Sequence, residues 1–101
     1  MTKLAKQLGV YRNFTGRIEW HGTSGQVCNA TFELAADGTV QWFAGTWLGD
    51  TWMNGWWWKG VWENGTWENG TWECGHWERG TWKRGFWRGG KIDGVGSLIH
   101  P

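Results

Sequence analysis

The sequence has no run of eighteen apolar residues, so no segment is suited to cross a bilayer as a helix. It has no strong charge of either sign. Ten Lys and Arg against nine Asp and Glu leave a net +1, with both signs mixed along the chain. That balance gives no general case for nucleic acid or for an anionic membrane. The opening residues, Met1 to Val10, lack the apolar core and cleavage site of a secretory signal, so a chain not exported by that route is expected. Cysteine is scarce. Cys28 and Cys74 lie 46 residues apart, follow no metal-ligand spacing and are expected as two free thiols. His21, His76 and His100 are equally scattered, so no metal and no cofactor is expected. No Ser/His/Asp or Cys/His arrangement stands out. Gly85 to Gly90 lacks the Lys-Ser/Thr pair of a phosphate loop. Four Asn-x-Thr triplets, at Asn13, Asn29, Asn64 and Asn69, read as chance matches in a Thr-rich repeat.

What the chain has in excess is Trp and Gly, thirteen and eighteen in 101 residues. Trp stands at 42, 47, 52, 57, 62, 67, 72, 77, 82 and 87, a spacing of five without a miss, and Ile92 takes the next slot. Gly sits two residues before most of them, with Val40 and Asp50 as exceptions, and Thr commonly lies between. The unit reads Gly-Thr-Trp-(Glu/Lys/Arg)-(Asn/Arg). A fixed period takes precedence in reading a fold. Five matches neither the helix period of 3.6 nor the strand period of 2, and Gly at every fifth place costs a helix about 1 kcal/mol each. A chain that turns a corner once per unit fits.

The phase resembles that of the pentapeptide-repeat solenoids, with Trp in the central inward slot and Gly in the small slot two before. That resemblance covers residues 40–94 and implies square coils of about twenty residues. It departs in identity, because Trp and Gly replace the usual Leu or Phe and Ala. The unit also resembles the Gly-Thr-Trp-(polar)-(polar) pentads of phage and bacterial proteins, which implies a virus-associated origin, in a virion or the host cytoplasm. A weaker resemblance links the Trp-Glu-Asn-Gly steps to the hairpin repeats called MORN repeats. In a solenoid, side chains one coil apart stack at about 4.8 Å. Twenty residues per coil sets Glu63 beside Lys83 and Glu68 beside Arg88. Fifteen pairs Glu68 with Lys83 and Glu73 with Arg88 but sets Glu63 against Glu78, and like charges opposite one another destabilise. Twenty is therefore the expectation, with a flattened ten-residue coil or a ladder of hairpins as the other options. It predicts buried Trp columns 42-62-82, 47-67-87, 52-72-Ile92 and 57-77, each indole N–H meeting a carbonyl or a Thr hydroxyl.

The expected fold is all-β: a repeat β-solenoid with an N-terminal antiparallel β-meander as its cap. The divisions are residues 1–39 for an arm and capping strands, 40–94 for the array and 95–101 for a tail. Residues 1–10 read either as a turn or two of helix, with Leu4 and Leu8 on one side, or as a loose arm. Ile18 and Trp20 share a face. Gly22 to Gly25 reads as a turn, and Cys28, Ala30, Phe32 and Leu34 as the apolar side of a strand. The loop Ala36-Asp37-Gly38 then pairs Leu34 with Val40 and Phe32 with Trp42, the register that keeps apolar side chains together.

The acidic row Glu63, Glu68, Glu73 and Glu78 invites a reading as paired carboxylates, but one shared repeat slot is what a solvated face produces; no enzyme is expected. Arg79, Lys83, Arg84, Arg88 and Lys91 form a basic end near Phe86. They either balance the Glu run before them or offer phosphate contacts to a single-stranded nucleic acid. Trp56, Trp58 and Phe86 flank the Trp phase and should point outward. They are the candidate contact residues, unless Trp56 is covered by His76 one coil on. The expectation is a non-enzymatic structural or protein-interaction part, contacting copies of itself or a virion or host protein. A carbohydrate- or nucleic-acid-binding module and a polymer-mimicking inhibitor are the alternatives; the near-zero charge argues against a mimic of DNA.

Overall fold

The computed structural model describes residues 3–93, which form one twelve-stranded sheet with no helix. The tail expected over 95–101, with His100, lies outside the described residues. The first strands are β1 (Leu4–Ala5), β2 (Gly9–Trp20), β3 (Thr23–Leu34) and β4 (Val40–Trp52). Strands β2, β3 and β4 are the expected antiparallel meander. Leu34 pairs with Val40 and Phe32 with Trp42. Ala35 N–H donates to the Thr39 carbonyl at 3.0 Å, which closes the loop 36–38, and Gly38 takes the left-handed φ of 93°.

Three local expectations are corrected. The arm is neither helix nor loose: β1 runs parallel to β2, with Leu4 opposite Arg17 and Ala5 opposite Ile18, and Ala5 is buried. The first turn is His21-Gly22 rather than 22–25, because Thr23 already pairs with Trp20. Cys28 does not face the core; Val27 does. The cause is a bulge at Asn29, whose φ of 49° inserts one residue and exchanges the faces of the strand. Asn13 on β2, φ 50°, and Gly45 on β4, φ 109°, lie in the same bend. All three strands thus bend at a common corner.

The array continues with β5 (Gly55–Trp57), β6 (Val61–Trp62), β7 (Thr66–Trp67), β8 (Thr71–Trp72), β9 (His76–Trp77), β10 (Thr81–Trp82), β11 (Phe86–Trp87) and β12 (Lys91–Ile92). Each pairs in parallel with the strand three units before it: Trp42 with Trp57, Trp57 with Trp72, Trp62 with Trp77, Trp67 with Trp82. The solenoid is as expected, but a coil holds fifteen residues and three sides, not twenty and four. The columns are Trp42-57-72-87, Trp47-62-77-Ile92 and Trp52-67-82. Strand β4 serves both halves, pairing with β3 on one edge and with the first array strands on the other.

The interior explains the number three. Only the Trp of each unit points inward, and Trp42 to Trp77 are buried. Successive indoles meet edge to face, as Trp67 and Trp72 do at 5.8 Å and 72°, the geometry their quadrupoles favour. Ring normals related by a three-fold turn and 72° apart lean about 43° from the axis. A coil-to-coil centroid spacing of 4.8 Å, as between Trp67 and Trp82, then leaves about 3.5 Å between ring planes, which is van der Waals contact. Three tilted plates fill the prism; a fourth ring would push the others off the axis. Phe32 and Tyr11 prolong one stack under Trp42, at 5.9 and 5.0 Å.

Gly makes the corners. At Gly75 φ is 123°, and a Cβ would lie 2.5 Å from the Gly60 carbonyl oxygen and 3.0 Å from Trp57 Nε1. The indole N–H groups of the inward Trp, at 42, 47, 52, 57, 62, 67, 72 and 77, find no hydrogen-bond acceptor, contrary to expectation. The neighbouring carbonyls accept the ladder's N–H groups: Glu78 N–H donates to Trp62 and His76 N–H to Gly60, at 2.8 and 2.9 Å. Edge-to-face contact with the next ring is what the indole edges receive instead.

Candidate functional site

A fifteen-residue coil assigns every outward residue to one of three faces. The first face carries Gln41, Trp56, Thr71 and Phe86 in one row, by direct pairing. Its second row holds Phe43, Trp58, Glu73 and Arg88. There the N–H of Trp58, Glu73 and Arg88 donates to the carbonyl of Trp42, Trp57 and Trp72 in turn. The three candidate contact residues, Trp56, Trp58 and Phe86, therefore share a single face, because 56 and 86 are two coils apart. Trp56 lies beside Thr71 and not beside His76, which belongs to the next face with Val61 and Lys91.

Trp56 and Trp58 stack on one another, with centroids 5.4 Å apart and 23° between planes. Both polar ends are anchored. Trp56 Nε1–H donates to Glu73 Oε2 and Trp58 Nε1–H to Gln41 Oε1, each at 3.1 Å. Arg88 Nε lies 3.3 Å from the other Glu73 oxygen. Trp56 is thereby half-buried, while Trp58 remains 42% exposed, Phe43 39% and Phe86 70%. Sequence reasoning missed Phe43, and missed Gln41 and Glu73 as supports. Their signal was spacing: each stands fifteen residues from a member of the Trp56/Trp58 pair.

The basic residues are not brought together. Arg88 is on the aromatic face, Lys91 on the second, Lys83 on the third, and Arg79 and Arg84 at corners. Lys83 Nζ lies 3.5 Å from Glu68 Oε2, and Arg84 Nε–H donates to the Glu68 carbonyl at 3.4 Å. The pairs Glu68–Lys83 and Glu73–Arg88 replace the expected Glu63–Lys83 and Glu68–Arg88. Glu63 shares a row with Glu78, and Asp93 follows. Among the described residues no group of three His, Cys, Asp or Glu is placed to hold a metal ion. Cys28 and Cys74 are free. Elsewhere Arg17 joins β2 to the array: it contacts Glu19 at 2.9 Å, Asp50 at 3.0 Å and Ser24 at 2.8 Å. Hydrogen bonding to Arg17, then to Ser24, holds the Glu19 carboxyl below its ordinary range.

Fold and face together define a Trp-rich pentad-repeat β-solenoid with an aromatic side. Comparison with protein-family models, with curated proteins and with solved structures gives no match for the chain.

Proposed function

We propose that the chain is a non-enzymatic structural and interaction part, a stiff prism that presents one face to a binding partner. The observation that carries this reading is the gathering of Trp56, Trp58 and Phe86, with Phe43, on one side of the coil. Large apolar side chains left in solvent on a shared surface mark contact sites. The stiffness comes from the ring stacks, which leave each coil little freedom against the next. The four Glu of the repeat are dispersed: Glu73 on the first face, Glu63 and Glu78 on the second, Glu68 on the third. His76 shares the second face with Glu63 and Glu78, but its carboxylate contact is to Asp93 at 3.4 Å, and the four Glu do not form the paired carboxylates of an acid–base site. A place in a phage particle or in its assembly rests on the resemblance of the pentads alone.

The test is the double substitution Trp56→Thr with Trp58→Glu, which restores the repeat consensus. The variant is expected to keep the parent's circular dichroism and melting profile. It is expected to lose whatever self-association or ligand binding the parent shows in light scattering and binding assays. A variant identical to the parent in all of these removes the support for an interaction role.

A further inference from the structure

The size, charge and layout of the aromatic face say what it takes. The exposed parts of Phe43, Trp56, Trp58 and Phe86 amount to roughly 300–400 Å² when scaled from full aromatic surfaces. A stable protein partner needs about 800 Å² from each side. The face is also not continuously apolar. The Trp56/Trp58 pair and Phe86 lie two coils apart, roughly 10 Å, and the rung between them is Thr71 with Glu73. A hydroxyl and a carboxylate thus sit between two aromatic platforms. The ionised groups of the face, Glu73 and Arg88, contact each other at 3.3 Å, so their charges cancel. Lys59 and Arg84 flank it only from the corners. Both Trp rings are held by hydrogen bonds to Gln41 and Glu73, so little side-chain freedom is left to lose on binding.

We infer that this face binds a neutral linear saccharide laid along the coil axis, an inference that rests on the contact role proposed above. A pyranose ring has apolar C–H faces and a polar rim. One sugar stacks on the exposed indole of Trp58, another on Phe86, and the ring between them offers hydroxyls to Thr71 and Glu73. A nucleic acid would need phosphate contacts that a charge-cancelled face does not supply. A protein partner would find the area too small and its centre polar.

The experiment is calorimetric titration of the full chain with cellohexaose, chitohexaose, xylohexaose and mannohexaose, and with the disaccharide of each. The parent, Trp58→Ala, Phe86→Ala and Leu48→Ala are compared; Leu48 lies on another face. At least one hexasaccharide should bind, and its disaccharide should bind at least about tenfold more weakly, because it reaches one platform only. Trp58→Ala and Phe86→Ala should each weaken the hexasaccharide about tenfold, the equivalent of 1.4 kcal/mol, while Leu48→Ala binds as the parent does. Phe86 is largely in solvent, so its loss leaves the core intact. The inference is overturned if no hexasaccharide binds, if disaccharides bind equally well, or if Leu48→Ala weakens binding as much as Phe86→Ala. Light scattering of the same variants separates the two failures. No saccharide binding with an oligomeric state that depends on Trp58 removes the saccharide and leaves the contact role; no effect on either removes both.

Discussion

Replacing Trp67 with Ala removes the ring at the centre of the prism. Trp67 is fully buried and stacks on Trp52 at 5.0 Å and on Trp82 at 4.8 Å, with edge contacts to Trp62 and Trp72 at 5.8 Å. Burial of one indole is worth roughly 4–6 kcal/mol at 25 cal/mol/Å². A Trp-to-Ala change in a core costs about 3–5 kcal/mol once partial collapse is allowed. Four ring contacts in a stiff stack allow little collapse, so the upper value, about 5 kcal/mol, is expected. Trp82 is half-buried and has no Trp stacked on its outer side among the described residues. Its replacement should cost about half as much. Chemical denaturation followed by circular dichroism measures both. Since a domain of this size holds about 5–15 kcal/mol in total, Trp67→Phe serves as a milder variant if the Ala form does not fold. A Trp67→Ala cost below about 2 kcal/mol, or one no larger than that of Trp82→Ala, would refute the stacked core.

Coil length is tested by cross-linking in a Cys28→Ser background. Lys59→Cys should form a disulfide with Cys74, since stacked positions lie about 4.8 Å apart, within bridging range; Asn54→Cys, the partner in a twenty-residue coil, should not. Gly75→Ala should cost at least about 2 kcal/mol from its left-handed φ and the blocked carbonyl. Gly49→Ala, with an ordinary φ and open space around the new Cβ, should be neutral or slightly stabilising; equal costs would show that the corners do not require Gly. The depressed Glu19 carboxyl contributes stability that is complete above its ordinary value of 4.5 and is lost as pH falls through the lower folded value. Melting temperatures recorded downward from that pH should fall less for Glu19→Gln than for the parent, and parallel curves would count against the Arg17–Glu19 contact.

The meander register was legible because only one loop length sets Leu34 against Val40 and Phe32 against Trp42. The five-residue period was legible in the Trp spacing. Coil length was not, and the reason is physical. Every inward slot holds Trp, so any multiple of five stacks Trp on Trp, and only outer residues distinguish the choices. Glu63 over Glu78 weighed against fifteen, yet two carboxylates in water repel by only about 1 kcal/mol, less with salt. How three tilted indoles fill a prism outweighs that, and no count of charges reveals it. Because coil length was hidden, Trp56 and Trp58 could be set on one outward face, but Phe86 could not be placed on that face with them. The bulge at Asn29 was hidden by a clean alternation through Cys28 that in fact breaks one residue later.

A three-sided coil built from identical units has a consequence for how such a gene can change length. Losing or gaining one pentad in the middle of the array still leaves Trp over Trp in the core, so the fold tolerates it. Outside, everything downstream turns by a third of a revolution. Without the unit Gly70 to Cys74, Phe86 would leave the side of Trp56 and Trp58 for a neighbouring one. Only steps of three pentads, fifteen codons, lengthen or shorten the rod while keeping its faces aligned. Natural variation in length should therefore fall into threes wherever selection acts on the aromatic side, and run freely in ones wherever it acts on the rod alone.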